Sequence, residues 1–194
     1  MSAKRIRKWI CCFATCFLAL SPALGAPQDV KGWQSFTWGM TDEQIVRAGG
    51  GDVQRQERAW APQRQFYVDY SVPALKLQDM QFKVWFQMDP ATDTLNEIRL
   101  IDKSPALGQG APRRREFDEL EALLTQKYGP AQLRTDLDEG RSLGMPMVTL
   151  TRTWAFPTTS IELRLDWFAA PGSAGAGSTT VRYFPTKRGD ASKL

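Results

Sequence analysis

The chain has no histidine and only three cysteines, Cys11, Cys12 and Cys16, all within its first twenty residues. Without histidine there is no Ser-His-Asp triad, no histidine-ligated metal site and none of the commonest general acid-base group. Beyond the N-terminal segment there is no cysteine either, which removes thiolate nucleophiles, zinc-thiolate sites and disulfides from that part of the chain. A second long apolar run is also missing. Of the common hydrolytic schemes, Ser-Lys and paired-carboxylate chemistry survive. Serine stands next to lysine only at Lys103-Ser104 and Ser192-Lys193, neither at a catalytic spacing on a helix. The acidic stretch Asp136-Leu137-Asp138-Glu139 reads as a solvated loop before Gly140, and it lacks the glycine and final glutamate of a calcium-binding EF-hand loop. The expectation is therefore a protein that is not an enzyme and needs no cofactor or metal.

What the N-terminus does contain is an export signal. Lys4, Arg5, Arg7 and Lys8 form a positive region, Trp9 to Leu20 an apolar core too short for a membrane span, and Pro22 a break. Ala23-Leu24-Gly25 then supplies small residues for cleavage, with Ala26 the first mature residue. Lipidation at Cys16 is disfavoured, because more apolar core follows it and Phe13-Ala14-Thr15 is a poor lipobox. The expected product is periplasmic, with no transmembrane segment. Four of the 25 basic residues and none of the 21 acidic ones precede Ala26, which leaves 21 of each sign. The basic character belongs to the signal, and nucleic-acid binding loses its electrostatic support.

Roughly 170 mature residues suit one domain or two small halves. The periodicity divides them as residues 26–102, a Pro/Gly-rich connector at 103–112 (KSPALGQGAP), residues 113–185 and a polar tail at 186–194 carrying Arg188-Gly189-Asp190. In the first half, Thr41 is placed to cap a helix with Gln44 as its capping-box partner and Met40 stapling onto Ile45, and Gly49-Gly50-Gly51 closes it. Alternating strands follow at Phe66 to Val72, Gln81 to Met88 and Leu95 to Ile101, with a weaker one through Val53 to Trp60. In the second half, Phe117, Leu120, Leu124 and Tyr128 form a helical stripe stopped by Gly129-Pro130. Strands return at Val148 to Trp154, where Arg152 interrupts the apolar face, at Ile161 to Trp167, and at Val181 to Tyr183 after the Gly/Ala/Ser-rich stretch Ala169 to Ser178. Arg113-Arg114-Arg115 before Glu116, Asp118 and Glu119 reads as a solvated helix start. The expected fold class is α+β: two similar halves, each a helix followed by an antiparallel meander, with the helices covering one face of a curved sheet.

The Gly39-Met40-Thr41 helix start with Gln44-Ile45 behind it, and the second helix ending Lys127-Tyr128-Gly129-Pro130 before further strands, resemble the tandem helix-plus-strand repeats of β-lactamase-inhibitor-like proteins. The pattern is also similar to the small outer-membrane assembly lipoproteins of the SmpA/OmlA (BamE) kind. It covers most of residues 33–185 on short motifs, and it departs from both families in lacking a lipidated cysteine and mature disulfides. The resemblance implies a curved sheet that presents one face to a protein partner, and no site residue carries over.

Aromatic placement supplies the candidate site. Tyr67 and Trp85 stand in the strand phase opposite their Phe/Val neighbours, with Trp60 beside them. On an open sheet face these three would be interface anchors, since Trp and Tyr bury much area with few rotatable bonds. In the other arrangement, a curled sheet makes the same rings core. The functional expectation is a non-enzymatic binding module of inhibitor, immunity or envelope-assembly type, acting on another envelope protein. The alternative is a small-molecule or lipid carrier using the apolar interior; oligomeric state stays open.

Overall fold

A computed structural model of the chain describes residues 29–61, 66–103, 110–142, 145–168 and 176–186. The expected signal segment at 1–25, most of the connector (104–109), the Gly/Ala/Ser-rich stretch at 169–175 and the tail at 187–194 lie outside the described residues.

Ten strands and two α-helices form in the order β1 (Gly32–Trp33), β2 (Phe36–Thr37), α1 (Asp42–Gly49), β3 (Gln54–Ala61), β4 (Phe66–Leu77), β5 (Met80–Asp89), β6 (Thr94–Asp102), α2 (Gly110–Tyr128), β7 (Leu133–Ser142), β8 (Met145–Ala155), β9 (Thr159–Phe168) and β10 (Ala176–Pro185). β1 and β2 make a two-stranded ribbon, and the other eight form one sheet in the order β3-β4-β5-β6-β10-β9-β8-β7. All its pairings are antiparallel, so two four-stranded meanders meet at a central seam where Val181 faces Leu100 and Tyr183 faces Ile98.

This architecture corrects the expected fold class. The protein is mostly β, built on one continuous eight-stranded sheet with two α-helices among the described residues, and is not a pair of helix-plus-meander halves covered by helices. The physical reason lies in α1 and in the edge strands. α1 buries a single residue, Ile45, and has no apolar stripe wide enough to cover a sheet. Trp33 and Phe36 of the β1-β2 ribbon fill that space instead, with Phe36 packing at 4.6 Å on Phe86 and Trp33 at 6.3 Å from Tyr183. The strands β3 and β7 have no apolar alternation, so their pairing partners, not their own patterns, make them strands.

The helix-start stretch forms as its residues dictate. Thr41 precedes α1, its N–H donates to Gln44 Oε1 at 2.9 Å, and Gly50 leaves the helix at φ 54°. The same stretch also stitches α1 to the sheet, because Gly39 N–H donates to the Leu95 carbonyl at 3.0 Å and Leu95 N–H to the Met40 carbonyl at 2.8 Å. At the other helix, Phe117, Leu120 and Leu124 point into the core and α2 packs on β9 and β10. Gly129 ends it at φ 82°, and the indole N–H of fully buried Trp154 donates to the Gly129 carbonyl at 2.8 Å. Each fully buried Leu, Ile or Phe in this layer contributes about 1.5–3 kcal/mol.

Candidate interaction surface

Alternation along each strand gives the eight-stranded sheet two chemically different faces. One packs under α2 and the ribbon and carries Val84, Phe86, Leu100, Val181, Leu163 and Leu150. The other carries the intervening residues. Register places Trp85 beside Arg99, Arg99 beside Arg182, Arg182 beside Glu162, Glu162 beside Thr153 and Thr153 beside Leu133, a continuous row across six strands.

Two arginines directly opposite each other on a sheet repel. Glu97 resolves the conflict: its Oε1 accepts from Arg99 Nη2 at 2.6 Å and Nε at 3.0 Å and from Arg182 Nε at 3.0 Å, and its Oε2 accepts from Arg182 Nη2 at 2.7 Å. Arg182 Nη1 also donates to Glu162 Oε1 at 3.0 Å. The hydrogen bonds it donates to Glu97 hold the Arg182 guanidinium well above its ordinary pKa, against the opposing effect of burial. Further along, Arg164 Nε donates to both oxygens of Asp166 at 2.9 Å, and Thr149 Oγ1 donates to Asp166 Oδ1 at 3.0 Å.

The result is a polar cavity of about 490 Å³ lined by three arginines, three carboxylates, Ser178 and Thr180. Its charges balance. Exposure is graded across it, with the Glu97 side chain at 3% and Arg164 at 45%. Guanidiniums fixed by buried carboxylates lose little entropy on meeting a ligand, which suits recognition of a polar or mixed-charge surface. Trp85 borders this site, part-buried, with Lys83 Nζ 5.4 Å from its ring centre and its indole N–H without a hydrogen-bond partner.

The three sequence-derived candidates are not brought together at the surface. Trp85 lies on the open face as expected. Tyr67 does not: it is 2% exposed and belongs to the apolar core. The cause is a β-bulge, since Tyr67 faces Met88 and Val68 faces Gln87, but Tyr70 rather than Asp69 faces Phe86. One extra residue reverses the phase, placing Tyr67 and Tyr70 on the same side. Trp60 pairs with Tyr67 in backbone register, and its side chain lies outside the described residues. Sequence reading missed the charged cavity. Its signal was there in Glu97-x-Arg99 and Glu162-x-Arg164-x-Asp166, alternating charges in the phase opposite the apolar residues.

A second cavity, about 410 Å³, opens between α2 and the sheet and is apolar, lined by Trp33, Leu75, Leu77, Leu100, Leu120, Leu123, Leu124, Val181 and Tyr183 with Gln34, Gln126 and Lys127. Burial pushes the Tyr183 hydroxyl far above its usual pKa, so it stays neutral. Among the described residues no group of three or more His, Cys, Asp or Glu is placed to hold a metal ion, and no helix is long and apolar enough to cross a membrane. No family model, curated protein or solved structure matches the chain.

Proposed function

We propose that the chain is an exported, non-enzymatic protein-binding module whose recognition surface is the open face of the eight-stranded sheet. The observation that supports this reading is the pre-organised cavity around Glu97, Arg99, Arg182 and Glu162, with the part-buried ring of Trp85 at its border. Fixed charges flanked by a tryptophan match the polar-plus-aromatic make-up of interface hot spots. The partner on this reading is another envelope protein.

A photo-crosslinking amino acid placed at Thr180, in the middle of the cavity, tests it in envelope extract of the host. A single specific adduct is expected there and none from the same group at Arg115, whose side chain is 74% exposed on α2. Equal labelling from both positions would overturn the assignment.

The apolar cavity beneath α2 favours a second reading, a carrier of a small apolar molecule. Its volume lies in the range of ligand pockets, and half of its lining residues are leucine. Native mass spectrometry of the purified chain would show a bound small molecule on that reading, and Leu123→Trp would displace it.

A further inference from the structure

A sheet that does not close leaves two edges, here β3 and β7. β7 pairs with β8 alone, so alternate residues along it turn their N–H and C=O outward, away from any strand among the described residues. Monomeric proteins blunt such edges with charged side chains, lysine above all, or with proline, bulges or short length. β7 is ten residues long with neither lysine nor proline; its bulge comes late, between Asp138 and Arg141, and over 133–137 its charges are one of each sign, Arg134 and Asp136. Its regular part, Leu133 to Leu137, is open: the two leucines are 45% and 47% exposed, and the Arg134 and Asp136 side chains 58% and 57%.

The sequence of that part, Leu-Arg-Thr-Asp-Leu, is its own antiparallel complement. With two copies paired about Thr135, Leu133 of each faces Leu137 of the other, Arg134 faces Asp136, and Thr135 faces Thr135. A two-fold axis perpendicular to the sheet keeps the faces matched. Both leucine pairs then fall on the open face and both Arg-Asp pairs on the helix side, and each kind of cross-strand pair is favourable. Arg134 keeps its contact to Glu121 at 2.6 Å and Asp136 its contact to Arg152, since both side chains still expose more than half their surface. α2 packs on β9 and β10, two strands in from the edge, leaving the approach clear.

We propose that the chain forms a symmetric dimer by antiparallel pairing of β7 with β7 of a second copy, joining two open faces into one extended surface. This is independent of what the open face binds. Sedimentation velocity of the chain from Ala26 onward is expected to show a reversible monomer-dimer equilibrium. Leu133→Glu/Leu137→Glu and Leu133→Lys/Leu137→Lys each set like charges opposite one another twice, weakening association about a hundredfold. An equimolar mixture restores a dimer, because the glutamate introduced at 133 faces the lysine introduced at 137. The leucines are half-exposed, so the unfolding midpoint of each variant stays near that of the parent. A readout that needs no variant is amide exchange, in which protection of residues 133–137 rises with protein concentration. A parent chain that stays monomeric up to about 100 μM, charged variants that dimerise as the parent does, a mixture that fails to associate, or exchange independent of concentration would each overturn the proposal.

Discussion

The two faces of the sheet each hold a charged cluster, and the buried group at the centre of each is of opposite sign. On the helix side the centre is an arginine between two carboxylates: Arg152 Nε donates to Glu121 Oε2 at 3.0 Å and its Nη1 pairs with Asp136, while Arg134 joins at Glu121 from the rim. On the open side a single carboxylate, Glu97, lies between Arg99 and Arg182. The surroundings differ as well. The Arg152 side chain is 3% exposed, sits 5.2 Å from the Phe117 ring centre, and draws its partners from α2 and β7. It fastens the helix and the edge strand to β8. The arginines around Glu97 all come from the central strands, fasten nothing to the sheet, and leave guanidinium surface facing an open cavity. One cluster joins elements and the other displays charge. The same pairing chemistry thus serves stability on one face and, on the function proposed above, recognition on the other.

Breaking the helix-side face is expected to have the largest effect. Trp154→Ala removes a fully buried ring and the hydrogen bond to Gly129 that fixes the end of α2, and should cost about 3–5 kcal/mol in urea unfolding. Arg152→Ala comes next. Removing it takes away the buried cation shared by Glu121 and Asp136 and its packing on Phe117, leaving Glu121 only the more exposed Arg134 at 2.6 Å, and a loss of about 3 kcal/mol is expected from the same measurement. Glu97→Ala sharpens the comparison: it leaves Arg99 and Arg182 opposed with Glu162, paired to Arg182 alone, as the remaining counter-charge, at about 2–3 kcal/mol, and the loss shrinks in high salt because Arg182 reaches solvent. The Arg152 variant, whose lost contacts lie in the interior, should show far weaker salt dependence.

The smallest expected effect concerns pH. The hydrogen bond from Arg152 holds the Asp136 carboxyl below its ordinary value of 3.8, with burial opposing and the charge of Arg152 adding to the shift. A depressed carboxyl contributes fully above that ordinary value, and its contribution is lost as pH falls through the folded-state pKa. Asp136→Asn should therefore flatten the acid limb of stability below about pH 4. Since the side chain is 57% exposed, solvent screening limits the difference to about 0.5 kcal/mol.

Much of the helix-side face was legible in the chain. The stripe Phe117-Leu120-Leu124, the alternations Phe82 to Met88 and Ile161 to Leu165, and the Thr41-Gln44 cap all depend on local spacing, and all formed. What did not show were features set by neighbours. Asp136-Leu137-Asp138-Glu139 read as a loop because its composition is acidic. It is strand because β8 pairs with it and Arg152, which had seemed an interruption of an apolar face, needs Asp136 as a partner. The β4 bulge likewise leaves no mark in alternation, and one residue of slip moved Tyr67 from the open face to the core. Of the candidate site, only the position of Trp85 could be read. The charged cavity beside it required knowing that β6 and β10 are neighbours although Glu97 and Arg182 stand 85 residues apart.

The division of labour between the faces is tested most directly by Trp85→Ala, measured for capture of the proposed envelope partner and for thermal unfolding midpoint in the same preparation. The account expects capture to be lost with the midpoint nearly unchanged. Retained capture, or a collapse of the midpoint like that expected for Trp154→Ala, would contradict it.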